Sequence, residues 1–343
     1  MHIILDTNII RQDWRQNSKP FKRLIDYSVK TWSPIVLPEI VMIEIGRLYE
    51  REVVKVFSNF RNAFNDLLKL TKNQPVQSLE VPEYGIARIE YEQYLKRRLG
   101  QFELIQISPR TDALPDIITR WSENRKPFNL ENDAFRDAII WSSIVDFAKK
   151  HAWGPIIFIS SNVYDFANSS QDDLHSDLKN EVDMLGLKVK FFKSIVQFNE
   201  VYVDHMDFLN EHWLKENIDW DLLNTGVLEG VSGIHCGFYF EYFGRIFTKD
   251  FEGNLNYDVV EAAYDGTAST FAADWHGDDE YYVWMNLGGI VVIDYLIDDE
   301  VVIRLKAYFH TEVSIEIKGR RIVKYEANYY EENSGLALYV FPD

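Results

Sequence analysis

Along the first 200 residues, short runs of branched apolar residues alternate with longer stretches whose apolar positions recur every three or four residues. The short runs, residues 2–5, 35–37, 156–160 and 188–192, predict strands. The longer stretches predict helices over 21–31, from Pro38 towards Leu70, and over 132–150, the last with Ala134, Ala138, Trp141, Ile144 and Val145 along one side. Proline at a first helical turn suits the second of these. Strands alternating with helices in this way predict a three-layer α/β domain built on a mostly parallel sheet.

Residues 73–129 stay polar and helical in character, with Pro75, Pro82, Pro109, Pro115 and Pro127 interrupting them and no convincing strand, so they read as a helical insertion. Residues 201–223 read as a helical connector. Beyond it the texture changes to alternation punctuated by turn residues: Gly237 to Tyr242, Tyr281 to Met285 and Val301 to Leu305. That pattern predicts a second, mainly antiparallel β domain over 224–343.

Charge divides the chain at the same place. Residues 1–200 carry 27 acidic and 27 basic side chains, whereas 201–343 carry 27 acidic and 9 basic, so the net charge of -18 belongs to the second part. Residues 251–300 contain twelve Asp or Glu and no Lys or Arg. An acidic domain repels phosphates over a Debye length of about 8 Å. Beyond solubility alone, two roles suit it: recruiting a protein partner, or restraining the first domain intramolecularly by imitating nucleic-acid charge. Exposure of Phe238, Tyr239, Phe240, Tyr242, Tyr281, Tyr282 and Trp284 would favour the partner, and their burial a plain core. The single cysteine, Cys236, excludes an intrachain disulfide and a thiolate zinc cage, and with no secretory or membrane-spanning pattern the expected home is cytoplasmic. A homodimer is the default expectation for any oligomer.

The chemistry rests on carboxylates. Asp6 follows the first strand directly, where open α/β sheets bind ligands. Glu44 falls early in the helix after the second strand, Asp137 in the helix near 132–150, and Asp165 just beyond the strand at 156–160. Clustered acids repel each other and are best tolerated around a hard cation such as Mg2+ or Mn2+. Each position also has a plain structural use: Asp6-Thr7-Asn8 as a helix cap, Glu44 as a solvated helix residue, Asp165 as a cap. Asp133 shares a helical face with Asp137 and competes for its role.

Four segments then carry a resemblance. Leu5-Asp6-Thr7-Asn8, the run Pro38 to Glu44, Arg136-Asp137-Ala138-Ile139-Ile140-Trp141 and the run Ile159 to Phe166 resemble the four motifs of PIN-domain nucleases, in the family's order. Asp173 to Leu178 is similar to a segment of a bacterial PIN-like branch. The resemblance covers about residues 1–200. It implies a metal-dependent nuclease, most often an endoribonuclease, with Asp6, Glu44, Asp137 and Asp165 as Mg2+ or Mn2+ ligands and Asn8 and Asn162 orienting ligands or water; Ser161 and Asp133 are supporting candidates. It favours RNA over DNA as the nucleic-acid substrate.

A basic and aromatic group in the insertion, Arg88, Tyr91, Lys96, Arg97 and Arg98, offers a grip on backbone and bases, against the alternative of a solvated helix face with Tyr91 in the core. The competing functions are a PIN-like binding scaffold without turnover and a phosphatase using Asp6 as nucleophile. The latter wants a second Asp at position 8, where this chain has Asn8. His205 and His212 lack partners for a zinc site. Ser160 and Ser161 lack a nucleophile elbow and read as turn residues. No nucleotide-binding glycine loop is present.

Overall fold

The computed structural model describes residues 1–70, 85–100, 104–129, 134–152, 154–225, 255–277, 279–297, 300–328 and 339–340. The chain forms two compact units, Met1–Asp204 and His205–Asp343.

In the first unit five parallel strands lie in the order β3-β2-β1-β4-β5: β1 His2–Leu5, β2 Ile35–Pro38, β3 Ile105–Ile107, β4 Ile156–Ile159 and β5 Val189–Phe192. Ile3, Ile4, Leu5, Val36, Leu37, Ile157, Phe158 and Ile159 are completely buried, as expected of a parallel sheet covered on both faces. The covering helices are α1 Thr7–Gln12, α2 Lys19–Lys30, α3 Glu39–Leu70, α4 Ile86–Leu99, α5 Leu114–Ser122, α6 Phe135–Lys150, α7 Val163–Phe166, α8 Ser176–Met184 and α9 Ile195–Phe198. Helix α6 is buried on most sides, through Ala138, Ile140, Trp141, Ile144, Val145, Phe147 and Ala148. Its Trp141 Nε1–H donates to Glu181 Oε2 of α8 at 2.8 Å, so the largest buried side chain also has its polar atom satisfied.

One strand corrects the sequence reading. Ile105–Ile107 lies in the stretch taken as wholly helical, yet pairs with β2 through Val36–Ile105, Leu37–Gln106 and Pro38–Ile107 and extends the sheet. Three residues with an exposed Gln106 at the centre carry too little periodicity to stand out. The described insertion also holds the helices α4 and α5, joined by loops and turns. Helix α4 approaches α3 at Gly46, where a Cβ would meet Glu92 Oε1 at 2.7 Å, and buried Glu50 of α3 accepts from the Gly85 N–H at 2.5 Å to cap α4.

Chain order and sheet order diverge at the centre. The chain moves from β1 to β2 and β3 on one side, then returns to place β4 and β5 on the other. The gap beyond the carboxyl ends of β1 and β4 is therefore the topological switch point, the usual ligand site of such sheets.

The second unit holds an antiparallel, curled sheet in the order β10-β8-β7-β6, with β9 also on β8. Its strands are β6 Leu255–Gly277, β7 Glu280–Ile297, β8 Glu300–Lys318, β9 Arg321–Asn328 and β10 Tyr339–Val340. Tyr281, Val283, Met285 and Leu287 are buried on β7, and Val313, Ile315 and Ile317 on β8. Trp284 stands on the other face, 38% exposed. Of the aromatics that were to decide between partner and core, Tyr281 is core and Trp284 is surface; Phe238, Tyr239, Phe240 and Tyr242, like Cys236, lie outside the described residues. The stretch read as one helical connector contains the short helix α10 Glu211–Asn217, preceded by a π-turn over Asn199–Val203 and a 3-10 turn over Asp204–Met206.

Candidate metal centre at the switch point

Register builds the first half of the site. Leu5 of β1 pairs with Ile159 of β4, so the next residues, Asp6 and Ser160, leave the sheet side by side, and the Asp6 N–H donates to the Ile159 carbonyl at 3.0 Å. Asp6 is fully buried. Its Oδ1 accepts from the Thr7 N–H at 2.7 Å, while Oδ2 accepts from Ser160 Oγ at 2.6 Å and Asn8 Nδ2 at 2.8 Å. Burial raises its pKa, and the Glu44 charge adds to the rise; the Ser160 and Thr7 hydrogen bonds and Arg136 oppose it.

Thr7 joins Asp6 to the second acid, since its hydroxyl donates to Glu44 Oε2 at 2.6 Å. Glu44 projects from the first turns of α3, directly after β2. Asp137 and Asp165, 5% and 3% exposed, stand on α6 and α7 and share one donor: Asn162 Nδ2 reaches Asp137 Oδ2 at 3.1 Å and Asp165 Oδ2 at 2.8 Å. Asn129 Nδ2 lies 3.5 Å from Asp165 Oδ1. Arg136 closes the network by donating from Nη1 to Glu44 Oε1, and from Nε and Nη2 to Asp137 Oδ1 at 3.1 and 2.9 Å. All eight carboxylate oxygens of the four acids thus accept a hydrogen bond within the chain.

The electrostatics follow from a cluster of four acids, three of which act on one guanidinium. Burial, assisted by the neighbouring Asp6 and Asp165, lifts Asp137 to about 6 against the pull of Arg136. For Arg136, burial works downwards, but Asp137, Glu44 and Asp6 outweigh it and hold the group above the ordinary guanidinium value.

The structure brings Asp6, Glu44, Asp137, Asp165, Asn8 and Asn162 into one network. Ser161 is at its edge: its N–H donates to Asn8 Oδ1 at 3.0 Å and its hydroxyl accepts from Gln12 Nε2 at 3.2 Å. Of the two serines, the one whose hydroxyl touches a site acid is Ser160, which sequence reading took for a turn residue; its position immediately after β4, matching that of Asp6 after β1, was the available signal. Arg136 and Thr7 were also missed as site residues, although both adjoin motif acids. Asp133 lies outside the described residues.

The basic group in the insertion is corrected in part. Tyr91 is 4% exposed, stacks on Tyr49 with ring centres 4.0 Å apart and donates its hydroxyl to the Trp14 carbonyl at 2.9 Å, so its ring is a core element and not a platform for bases. Arg98 donates to the Gln16 carbonyl and Arg88 pairs with Glu92 at 2.8 Å; Lys96 and Arg97 are exposed. The exposed aromatic nearest in sequence to a site acid is Tyr164, 60% accessible, with the Lys126 ammonium 4.5 Å from its ring centre.

Residues 3–166 match the family model of the PIN domain. The N-terminal unit carries this PIN-domain match on a PIN-like α/β fold. PIN domains are generally metal-dependent nucleases and typically use Mg2+ or Mn2+. The match ends at Phe166, and no family model matches the C-terminal region. No curated protein matches the chain. Among the described residues, no group of three or more His, Cys, Asp or Glu side chains stands ready-made to hold a metal ion; the oxygens here turn to Arg136, the asparagines and the hydroxyls. The donor set nevertheless fits a hard divalent cation: it is all oxygen, three of its four acids, Asp6, Asp137 and Asp165, are buried, and burial, helped by the neighbouring acids, raises Asp6 and Asp137. No described helix is long and apolar enough to cross a membrane.

Proposed function

We propose that the PIN domain is a divalent-metal-dependent endoribonuclease in which Asp6, Glu44, Asp137 and Asp165 hold the metal. The reading is supported above all by one observation: acids 159 positions apart in the chain join a single hydrogen-bonded network at the switch point of a parallel sheet. When bound, the ion supplies an activated water and a clamp on the phosphate oxygens. The chain's own groups prepare the acids. Ser160 and Asn8 fix Asp6 in one rotamer, Thr7 sets the spacing between Asp6 and Glu44, and Asn162 ties Asp137 to Asp165 so that the pair moves together. Tyr164, with Lys126 beside it, offers a ring for a base next to the scissile phosphate.

The test is cleavage of labelled single-stranded RNA and DNA, and of a circular RNA that only an endonuclease can open, with Mn2+ or with chelator. Metal-dependent opening of the circle by wild type, lost in the Asp6→Asn/Asp137→Asn variant, is the expected result. No cleavage of any substrate by the folded wild type would overturn the reading in favour of a binding scaffold without turnover.

A further inference from the structure

Among the described residues, the carboxylate network contains one cation, Arg136. The Arg136 guanidinium bridges two elements, bonding Glu44 of α3 through Nη1 and its neighbour Asp137 of α6 through Nε and Nη2. Its side chain remains 44% exposed, while those of Glu44 and Asp137 are 21% and 7% exposed. The arginine therefore binds less exposed acids from the solvent side and has a route out. Arg120 makes the contrast: its side chain is 10% exposed and is locked between Glu181 and the Lys126 carbonyl.

A divalent ion drawn to Glu44 and Asp137 would use the same oxygens that the guanidinium now occupies. We propose that Arg136 is an exchangeable counter-ion: it satisfies Glu44 and Asp137 until a divalent cation takes their oxygens, and the displaced guanidinium is then presented to a phosphate of the substrate. The proposal rests on the four-carboxylate reading above. Its physical basis is reciprocity, because whatever free energy holds the guanidinium to these acids is subtracted from the metal's affinity, and metal binding loosens the arginine by the same amount. The flat, forked head that grips two carboxylates suits a phosphate equally well.

The experiment is titration of the full chain with Mn2+, read by electron paramagnetic resonance of free Mn2+, in wild type, Arg136→Gln and Arg136→Lys. It is paired with mass-spectrometric measurement of phenylglyoxal modification at Arg136 in wild type. Mn2+ should bind Arg136→Gln roughly three- to tenfold more tightly than wild type, the scale set by ion pairs of this exposure. Arg136→Lys, with the charge but not the fork, should fall between them, and saturating Mn2+ should make Arg136 of the wild type more reactive to phenylglyoxal. Equal or weaker Mn2+ binding in Arg136→Gln, a Lys variant indistinguishable from wild type, or protection of Arg136 by Mn2+ would each overturn the proposal while leaving the metal site standing. Absence of Mn2+ binding in all three proteins would overturn the site reading and the proposal with it.

Discussion

The sheet of the PIN domain is made of strands of three or four residues, whereas that of the C-terminal unit runs through strands of up to 23. In the first, consecutive strand residues such as Ile3, Ile4 and Leu5 are all buried; in the second, buried Val283 and Met285 alternate with exposed Trp284 and Asn286. The difference teaches where chemistry can collect. Short parallel strands end together, so the first residue after each one arrives at a common layer, and polar side chains there meet across the gap between β1 and β4. Long antiparallel strands place successive turns at opposite ends of the sheet and bring no such set of strand ends to one place.

The strongest way to break this contrast is to strike each sheet where it matters. Asp6→Asn/Asp137→Asn should reduce metal-dependent RNA cleavage by about a thousandfold, the scale of losing groups that stabilise developing charge. A loss below tenfold would detach the chemistry from the strand ends. Ile315→Ala, in the interior of the second sheet, should cost about 2–5 kcal/mol as a buried large-to-small change, read as lost hydrogen-exchange protection along β8. Cleavage should survive it, and parallel loss of activity would show that the two sheets are not separable in function.

Next comes pH. Asp137 has its ordinary value of 3.8 unfolded and about 6 folded, so the folded state binds the proton more tightly. The stabilisation is complete below about pH 4 and is lost as pH rises through 6, by up to about 3 kcal/mol. Asp6, shifted in the same direction, steepens the slope. Denaturation in chelator between pH 4 and 7 should show this decline in wild type and a flatter one in Asp137→Asn; identical slopes would remove Asp137 as its source. Tyr164→Ala should weaken RNA binding by about 1–3 kcal/mol, the worth of one stacked base, with kcat nearly unchanged. Smallest of all, Trp284→Ala on the outward face should move stability by no more than about 0.5 kcal/mol. A cost equal to that of Ile315→Ala would erase the alternation on which the comparison depends.

Much of the first unit was legible because β1, β2 and β4 are so apolar that they could only be central, and because Asp6 follows β1 directly while Glu44 and Asp165 come soon after β2 and β4. Ile105–Ile107 was not, since an edge strand of three residues carries no period. Amides, hydroxyls and the guanidinium were harder to assign than acids. Ser160 and Ser161 are chemically alike in sequence, and only the pairing of Leu5 with Ile159 decides which of them faces Asp6. Tyr91 looked like a platform among basic residues because helical spacing alone cannot tell which face meets Tyr49. Simple repulsion also suggests that an amide in place of any clustered acid should stabilise the fold. At Asp6 both oxygens accept from fixed donors, so an amide would set one N–H against another, and relief of charge is offset there.

The central place of β1 has a consequence in time. Of the two neighbours of β1, β2 follows soon but β4 comes about 150 residues later, and the hydrogen bond from Ser160 to Asp6 closes a loop of 154 positions. While the chain is being synthesised, Asp6 and Glu44 therefore emerge early and wait. Their two companions, and the strand that aligns them, arrive only when almost the whole PIN domain has been made. A truncated product ending anywhere before Asp165 carries an incomplete set of acids, so the order of the strands makes completion of the domain a condition for assembling its site.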